Sequence, residues 1–209
     1  MPPDAEQSPP LVVTLEIDDE AQARWDRERA ALFPPGRTQI GAHVTLFHAV
    51  PAAQEPAVLA ALAQAAARRP FPIEVIDLMP LGRGVAYRLR SAELLALHRG
   101  LQASWWDGVT PQDRQGFRPH VTVQNKVSAE LASRTLAQLR QGFAPFEITA
   151  RALRLWRYEG GPWAYRARFP FSPAPQPLDG PPTASASASG EGRLLAEPGP
   201  DPRSGCAAP

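Results

Sequence analysis

Apolar and polar positions divide the chain into short β-like runs and longer amphipathic ones. Leu11-Val12-Val13-Thr14-Leu15-Glu16-Ile17 is rich in β-branched residues and predicts a strand. Asp18 or Asp19 then caps a helix that runs to about Leu32 and stops before Phe33-Pro34-Pro35-Gly36. A strand follows over about 40–48, closed by Pro51, then an Ala-rich helix over 54–69. Residues 71–78 and 84–90 predict a hairpin around Met79-Pro80-Leu81-Gly82, with Val85, Tyr87 and Leu89 alternating as in a half-buried strand. Ser91 caps a helix reaching about Ser104, with Leu94, Leu97 and Leu101 on one side. After a turn-rich stretch come a strand at 118–126 and a helix at 129–141, capped by Ser128 and ended by Gly142. Strands at 146–158 and 163–169 close the series around Glu159-Gly160-Gly161-Pro162. The order is β-α-β-α-β-β, then α-β-α-β-β. It predicts an α+β fold of two pseudo-symmetric lobes, with antiparallel sheets facing a central cleft and helices outside.

The two ends read differently. Residues 1–10 are polar and Pro-rich and predict a flexible tail. From Ser172 onward Pro, Ala, Ser and Gly dominate, so 172–209 is expected to be disordered, leaving 11–171 as the folded domain. A net charge of +1 over 209 residues argues against bulk electrostatic binding of nucleic acid; any anion site must be local. The single cysteine, Cys206, excludes a disulfide within the chain and a Cys-ligated metal centre. The N-terminus has no basic or apolar leader, and the apolar stretch 58–67 is broken by Gln64 and too short for a bilayer. A cytoplasmic monomer with no membrane partner is the expectation.

One short stretch occurs twice. Ala42-His43-Val44-Thr45-Leu46-Phe47 and Pro119-His120-Val121-Thr122-Val123-Gln124 both read His-Val-Thr-aliphatic within predicted strands. Strand side chains alternate faces, so His43 and Thr45 share one face, as do His120 and Thr122, with Val44, Leu46, Val121 and Val123 opposite. Two imidazoles across one substrate can serve as base and acid in a single turnover, and the hydroxyls can donate to an anion. A phosphate fits that arrangement, and the chemistry requires no metal or other cofactor. A zinc site usually needs three protein ligands, whereas His48, on a regular strand, faces away from His43. His98, between Leu94 and Leu101, reads as a packing or helix-surface residue. A Gly-x-Ser-x-Gly elbow is lacking.

These paired motifs resemble those of the 2H phosphoesterase superfamily. Phe117-Arg118-Pro119-His120-Val121-Thr122-Val123 is similar to the form in its bacterial 2'-5' RNA ligase (RNA cyclic phosphodiesterase) branch. The resemblance spans about residues 10–170. It implies a bilobal LigT-like fold with both motifs in a central cleft and metal-independent chemistry on 2',3'-cyclic phosphates or 2'-5' linkages. It also implies His43 and His120 as the acid/base pair and Thr45 and Thr122 as phosphate-binding hydroxyls; which histidine is the acid stays open.

Four further residues are candidate substrate contacts. Gln124 and Lys126 continue the His120 face of a regular strand, and Lys126 can bring positive charge to a phosphate. Arg118 shares that face unless Pro119 alters it. Phe47 follows Thr45 on the cleft face and can stack on a base, although core packing competes. Trp105 and Trp106 combine the same two readings, stacking and helix closure. Arg83 and Arg88 read as surface charge. The expected partner is an RNA end or a small nucleotide. The competing readings are a binding module without turnover and a 2H enzyme acting on a non-RNA phosphodiester.

Overall fold

The computed structural model describes residues 9–36, 40–105, 110–160 and 163–172. Trp106, most of the N-terminal segment 1–10 and nearly all of 172–209 lie outside the described residues. The elements follow the predicted order: β1 (Leu11–Ile17), α1 (Asp19–Leu32), β2 (Val44–Val50), α2 (Glu55–Ala66), β3 (Phe71–Pro80), β4 (Val85–Arg90), α3 (Ala92–Ser104), β5 (His120–Gln124), α4 (Ala129–Gln141), β6 (Phe146–Tyr158) and β7 (Trp163–Pro170). The helices α1, α3 and α4 start at side-chain caps that satisfy otherwise orphaned backbone donors. Asp18 accepts from Ala21 N at 3.0 Å, Ser91 from Leu94 N at 3.3 Å and Ser128 from Leu131 N at 3.1 Å.

The seven strands of the described residues form one antiparallel sheet, with the path β2-β1-β6-β3-β4-β5 and β7 added on β6. The long β6 belongs to both halves. Ala150 is flanked by Ile17 of β1 and Phe71 of β3, and Ala152 by Glu16 of β1 and Pro170 of β7. Strands β3 and β7 therefore occupy successive stretches of one edge of β6, while β1 takes the other edge. Here the structure corrects one detail of the expectation: the two antiparallel sheets are joined, because a 13-residue strand is long enough to serve both.

Buried apolar residues make one continuous core through both halves, from Leu11, Val13 and Trp25 to Leu89, Val121 and Leu155. Burying such side chains out of water is the main stabilising term of the fold. The two motif-bearing strands are the ends of the sheet path, yet they approach each other. The β5 end lies so close to the neighbouring hairpin that a Cβ on Gly84 would sit 2.0 Å from the Gln124 carbonyl oxygen, so only glycine fits there.

Candidate active site

The first motif is placed by helix α1. Gln22, Asp26 and Arg29 follow helical spacing and so share one face. Gln22 Nε2 donates to Asp26 Oδ2 at 3.0 Å and to the Ala42 carbonyl at 2.9 Å, and Asp26 Oδ1 accepts from Ala42 N. These bonds fix the segment just before His43, which itself precedes β2. A Cβ on Gly41 would meet the same Gln22 and Asp26 side chains at 2.9–3.1 Å. Arg29 goes further. Its Nη1 donates to the Thr122 carbonyl at 2.6 Å and its Nη2 to the Ile40 carbonyl at 3.1 Å. One buried guanidinium thus ties the second motif to the segment that leads into the first.

The two histidines are held in the same way. His43 Nδ1 lies 2.8 Å from the Gly41 carbonyl oxygen, and His120 Nδ1 lies 2.8 Å from the Arg118 carbonyl oxygen. A carbonyl accepts only from N–H, so each neutral ring carries its proton on Nδ1 and keeps the Nε2 lone pair. Their surroundings differ. Burial pushes the His43 pKa down to about 4; the Gly41 hydrogen bond opposes this, while the positive charges of Arg29 and His120 reinforce it. His43 is therefore neutral at pH 7. Its ring packs 5.3 Å from Trp163 and borders a cavity of about 40 Å³ together with Glu16, Arg154 and Trp156.

His120 opens onto a larger cavity of about 380 Å³, which also takes in Thr45, His48, Asp113 and Arg118. Arg118 borders a neighbouring cavity of about 370 Å³ as well. Thr45 and Thr122 are both partly exposed. The site thus joins His120, Arg118 and Thr45 around one space, while His43 borders a separate, smaller one.

Strict two-residue alternation fails just after each threonine. In the β1–β2 pairing, Thr14 faces Thr45 and Val13 faces Phe47, so Leu46 is an extra residue. In the β4–β5 pairing, Ala86 faces Thr122 and Val85 faces Gln124, so Val123 is extra. Each is a β-bulge, which reverses the in-out pattern beyond it. Phe47 is consequently fully buried, stacked on His98 at 4.6 Å and edge-on to Trp105 at 5.0 Å. Gln124 is 1% exposed and donates to Thr135 Oγ1 at 3.0 Å. Neither reaches the cleft. Lys126 lies past the end of β5 in a left-handed backbone conformation (φ 62°), exposed, and does not continue the His120 face. His48, expected to face away, instead borders the same cavity as Thr45.

Sequence reasoning missed Arg29, His48 with Asp113, and Trp163. Only Arg29 carried a signal: its helical spacing with Gln22 and Asp26 marks one polar face on α1. Among the described residues no group of three or more His, Cys, Asp or Glu is placed to hold a metal ion. None of their helices is long and apolar enough to cross a membrane.

Residues 17–162 match the family described as the 2'-5' RNA ligase superfamily. No curated protein sequence matches the chain. Among solved structures, TT0787 of Thermus thermophilus is similar with a TM-score of 0.57 and 18% identity, over 78% of this chain and 98% of that one. E. coli LigT complexed with 3'-AMP gives 0.55 and 17%, over 79% and 99%. A protein described as a phosphoesterase gives 0.55 and 19%, over 79% and 99%. At these identities the likeness is one of fold.

Proposed function

The chain belongs to the 2'-5' RNA ligase superfamily, and from that premise we propose that it is a metal-independent phosphoesterase. Its reaction is hydrolysis of a 2',3'-cyclic phosphodiester, on an RNA end or a nucleotide, to a monophosphate. The observation that carries this reading is the pair of matched histidines, each with Nδ1 on the carbonyl two residues back, with Arg29 bonded both to the segment before His43 and to the Thr122 carbonyl. The neutral His43 takes a proton from water through Nε2 as the oxygen attacks phosphorus. His120 is the acid of the pair and gives a proton to the departing ribose oxygen. The Thr45 and Thr122 hydroxyls donate to the non-bridging oxygens as charge builds on them. With a 5'-hydroxyl in place of water as the nucleophile and the 3'-oxygen as the leaving group, the same acid/base pair serves 2'-5' ligation as a secondary activity.

A small nucleotide or a short RNA end suits the near-neutral net charge better than a long RNA. E. coli LigT, of similar fold, has been crystallised with 3'-AMP. A cytoplasmic monomer belongs to the same proposal. The test is turnover of 2',3'-cyclic nucleotides in EDTA, comparing wild type with His43→Ala and His120→Ala and resolving the product isomers. Each variant should lose on the order of 10²–10⁴ in rate, the usual worth of a positioned proton donor or acceptor, and EDTA should have no effect. Absence of wild-type turnover, or turnover that survives both substitutions, would sink this reading and favour a binding role.

A further inference from the structure

One hydrogen-bonded pair in the site has no part in the reaction just described. His48 Nδ1 lies 2.8 Å from Asp113 Oδ1. The same carboxylate accepts from His48 N at 3.0 Å and from Ala49 N at 3.1 Å. Those backbone donors are free because the β1–β2 register shifts again between Phe47 and Val50. Asp113 is itself held in place: its carbonyl accepts from Gln102 Nε2 at 2.7 Å, and its N–H donates to Thr110 Oγ1 at 3.2 Å. Burial raises the Asp113 pKa, but hydrogen bonds from the His48 ring and the two backbone amides bring it below the ordinary carboxylate value. It is a buried anion, 1% exposed at the side chain, aimed at the Nδ1 edge of an imidazole.

The imidazole is not buried with it. The His48 side chain is 47% exposed and borders the cavity of Thr45, Arg118 and His120. Two backbone amides already anchor the carboxylate, so the ring is not required to satisfy it. With Nδ1–H committed to Asp113, Nε2 of the neutral ring is an acceptor, the group it offers to a hydroxyl or N–H of a ligand. The other polar side chains around this space, Thr45, Gln112, Gln115, Arg118 and His120, can all donate hydrogen bonds, and its one carboxylate is engaged. The space therefore suits an anion. His98, the other imidazole nearby, is stacked between Phe47 and Phe117 with Nε2 on the Leu46 carbonyl, and takes no part.

We propose that His48 is a substrate-binding residue of this site, its Nε2 oriented by Asp113 onto a nucleoside that carries a terminal or cyclic phosphate. The ligand class rests on the phosphoesterase reading; the placement of His48 does not.

Asparagine and glutamine separate the two ring nitrogens, since Asn places its amide near Nδ1 and Gln places its amide near Nε2. In His48→Asn the Asp113 bond persists and the ligand contact is lost; in His48→Gln the reverse holds. Calorimetric titration with adenosine 2'-monophosphate and adenosine 3'-monophosphate reads binding directly, and turnover of adenosine 2',3'-cyclic phosphate is followed in parallel. His48→Asn should weaken binding of the better-bound monophosphate about tenfold and raise KM similarly. Its kcat should stay within about twofold, the pattern of a contact made equally in ground and transition states. Its melting temperature should stay within about 3 °C of wild type, and His48→Gln should restore part of the affinity. Wild-type affinity in His48→Asn, or wild-type protein that binds neither monophosphate, overturns the inference. Failure of turnover alone, with the binding loss intact, overturns the phosphoesterase reading and leaves the inference standing.

Discussion

The two His-Val-Thr copies are a comparison made within one molecule. They share the bulge one residue past the threonine and the Nδ1 bond to a carbonyl two residues back. They differ in what surrounds them. The segment before His43 is braced by Gln22 and Asp26 of α1 and its ring packs beside Trp163, whereas the His120 ring opens to the larger cavity. The lesson is a division of labour between motif and context. The motif sets which atoms each copy presents, and the neighbours set how far each ring is withdrawn from water, which for His43 lowers its pKa.

The position two residues past each threonine tests the shared part of the comparison with the largest stability effect. Phe47 occupies it in the first copy and Gln124 in the second, and both bulges turn it inward. Phe47→Ala empties the space between His98 and Trp105 and should cost about 3–5 kcal/mol, as deletion of a buried aromatic ring does. Urea unfolding measures it. A loss below about 1 kcal/mol, in the range of a surface change, would mean that Phe47 stands in the cleft and that the first bulge is misassigned.

The next effect probes the unequal part. His43 has a folded-state pKa of about 4 against 6.5 in the unfolded chain. Below pH 6.5 the unfolded chain binds a proton that the folded one refuses, so stability falls as pH drops from 6.5 to 4 and this contribution is spent below that. The shift corresponds to at most about 3 kcal/mol. His43→Gln removes it, so the variant should gain on wild type as pH falls from 7 to 4.5. Unfolding free energies at the two pH values give the difference, with the carboxylate contributions common to both proteins. An unchanged gap would mean that the His43 ring is solvated and its pKa is not lowered by burial.

Much of this arrangement was legible in the chain. Order and type of the strands and helices followed from alternation, caps and Pro/Gly breaks; Asp18, Ser91 and Ser128 are caps in the structure too. The two motifs announced themselves by repetition. The bulges did not, because an extra residue leaves no mark on a run such as Val-Thr-Leu-Phe-His, where apolar residues on both sides of the bulge satisfy either register. That one silent feature displaced Phe47 and Gln124 from the cleft and brought His48 to it. Joining of the sheets was equally silent, since the length of β6 says that it can pair twice but not with which strands. Arg29 was readable as part of a helix face, yet its bonds to the Ile40 and Thr122 carbonyls depend on long-range approach.

The smallest expected effect returns to Gln124, the counterpart of Phe47. Its Nε2 bonds Thr135 Oγ1 at 3.0 Å, but its buried Oε1 has no hydrogen-bond partner among the described residues. Removing Thr135 alone leaves the amide donor stranded as well, a loss of about 1–3 kcal/mol. Removing both partners, in Gln124→Leu with Thr135→Val, takes one hydrogen bond and one orphaned acceptor out of the core together. Such a replacement is near neutral or stabilising, so the double variant should unfold within about 1 kcal/mol of wild type. The coupling between the two sites, read from the double-mutant cycle, should then be of opposite sign to the single losses. Turnover of a cyclic nucleotide should not change, because the bulge keeps Gln124 away from substrate. If Gln124→Leu alone raised KM without loss of stability, the amide would reach the ligand. The second bulge would then differ from the first, and the symmetry of the two copies would end at the threonine.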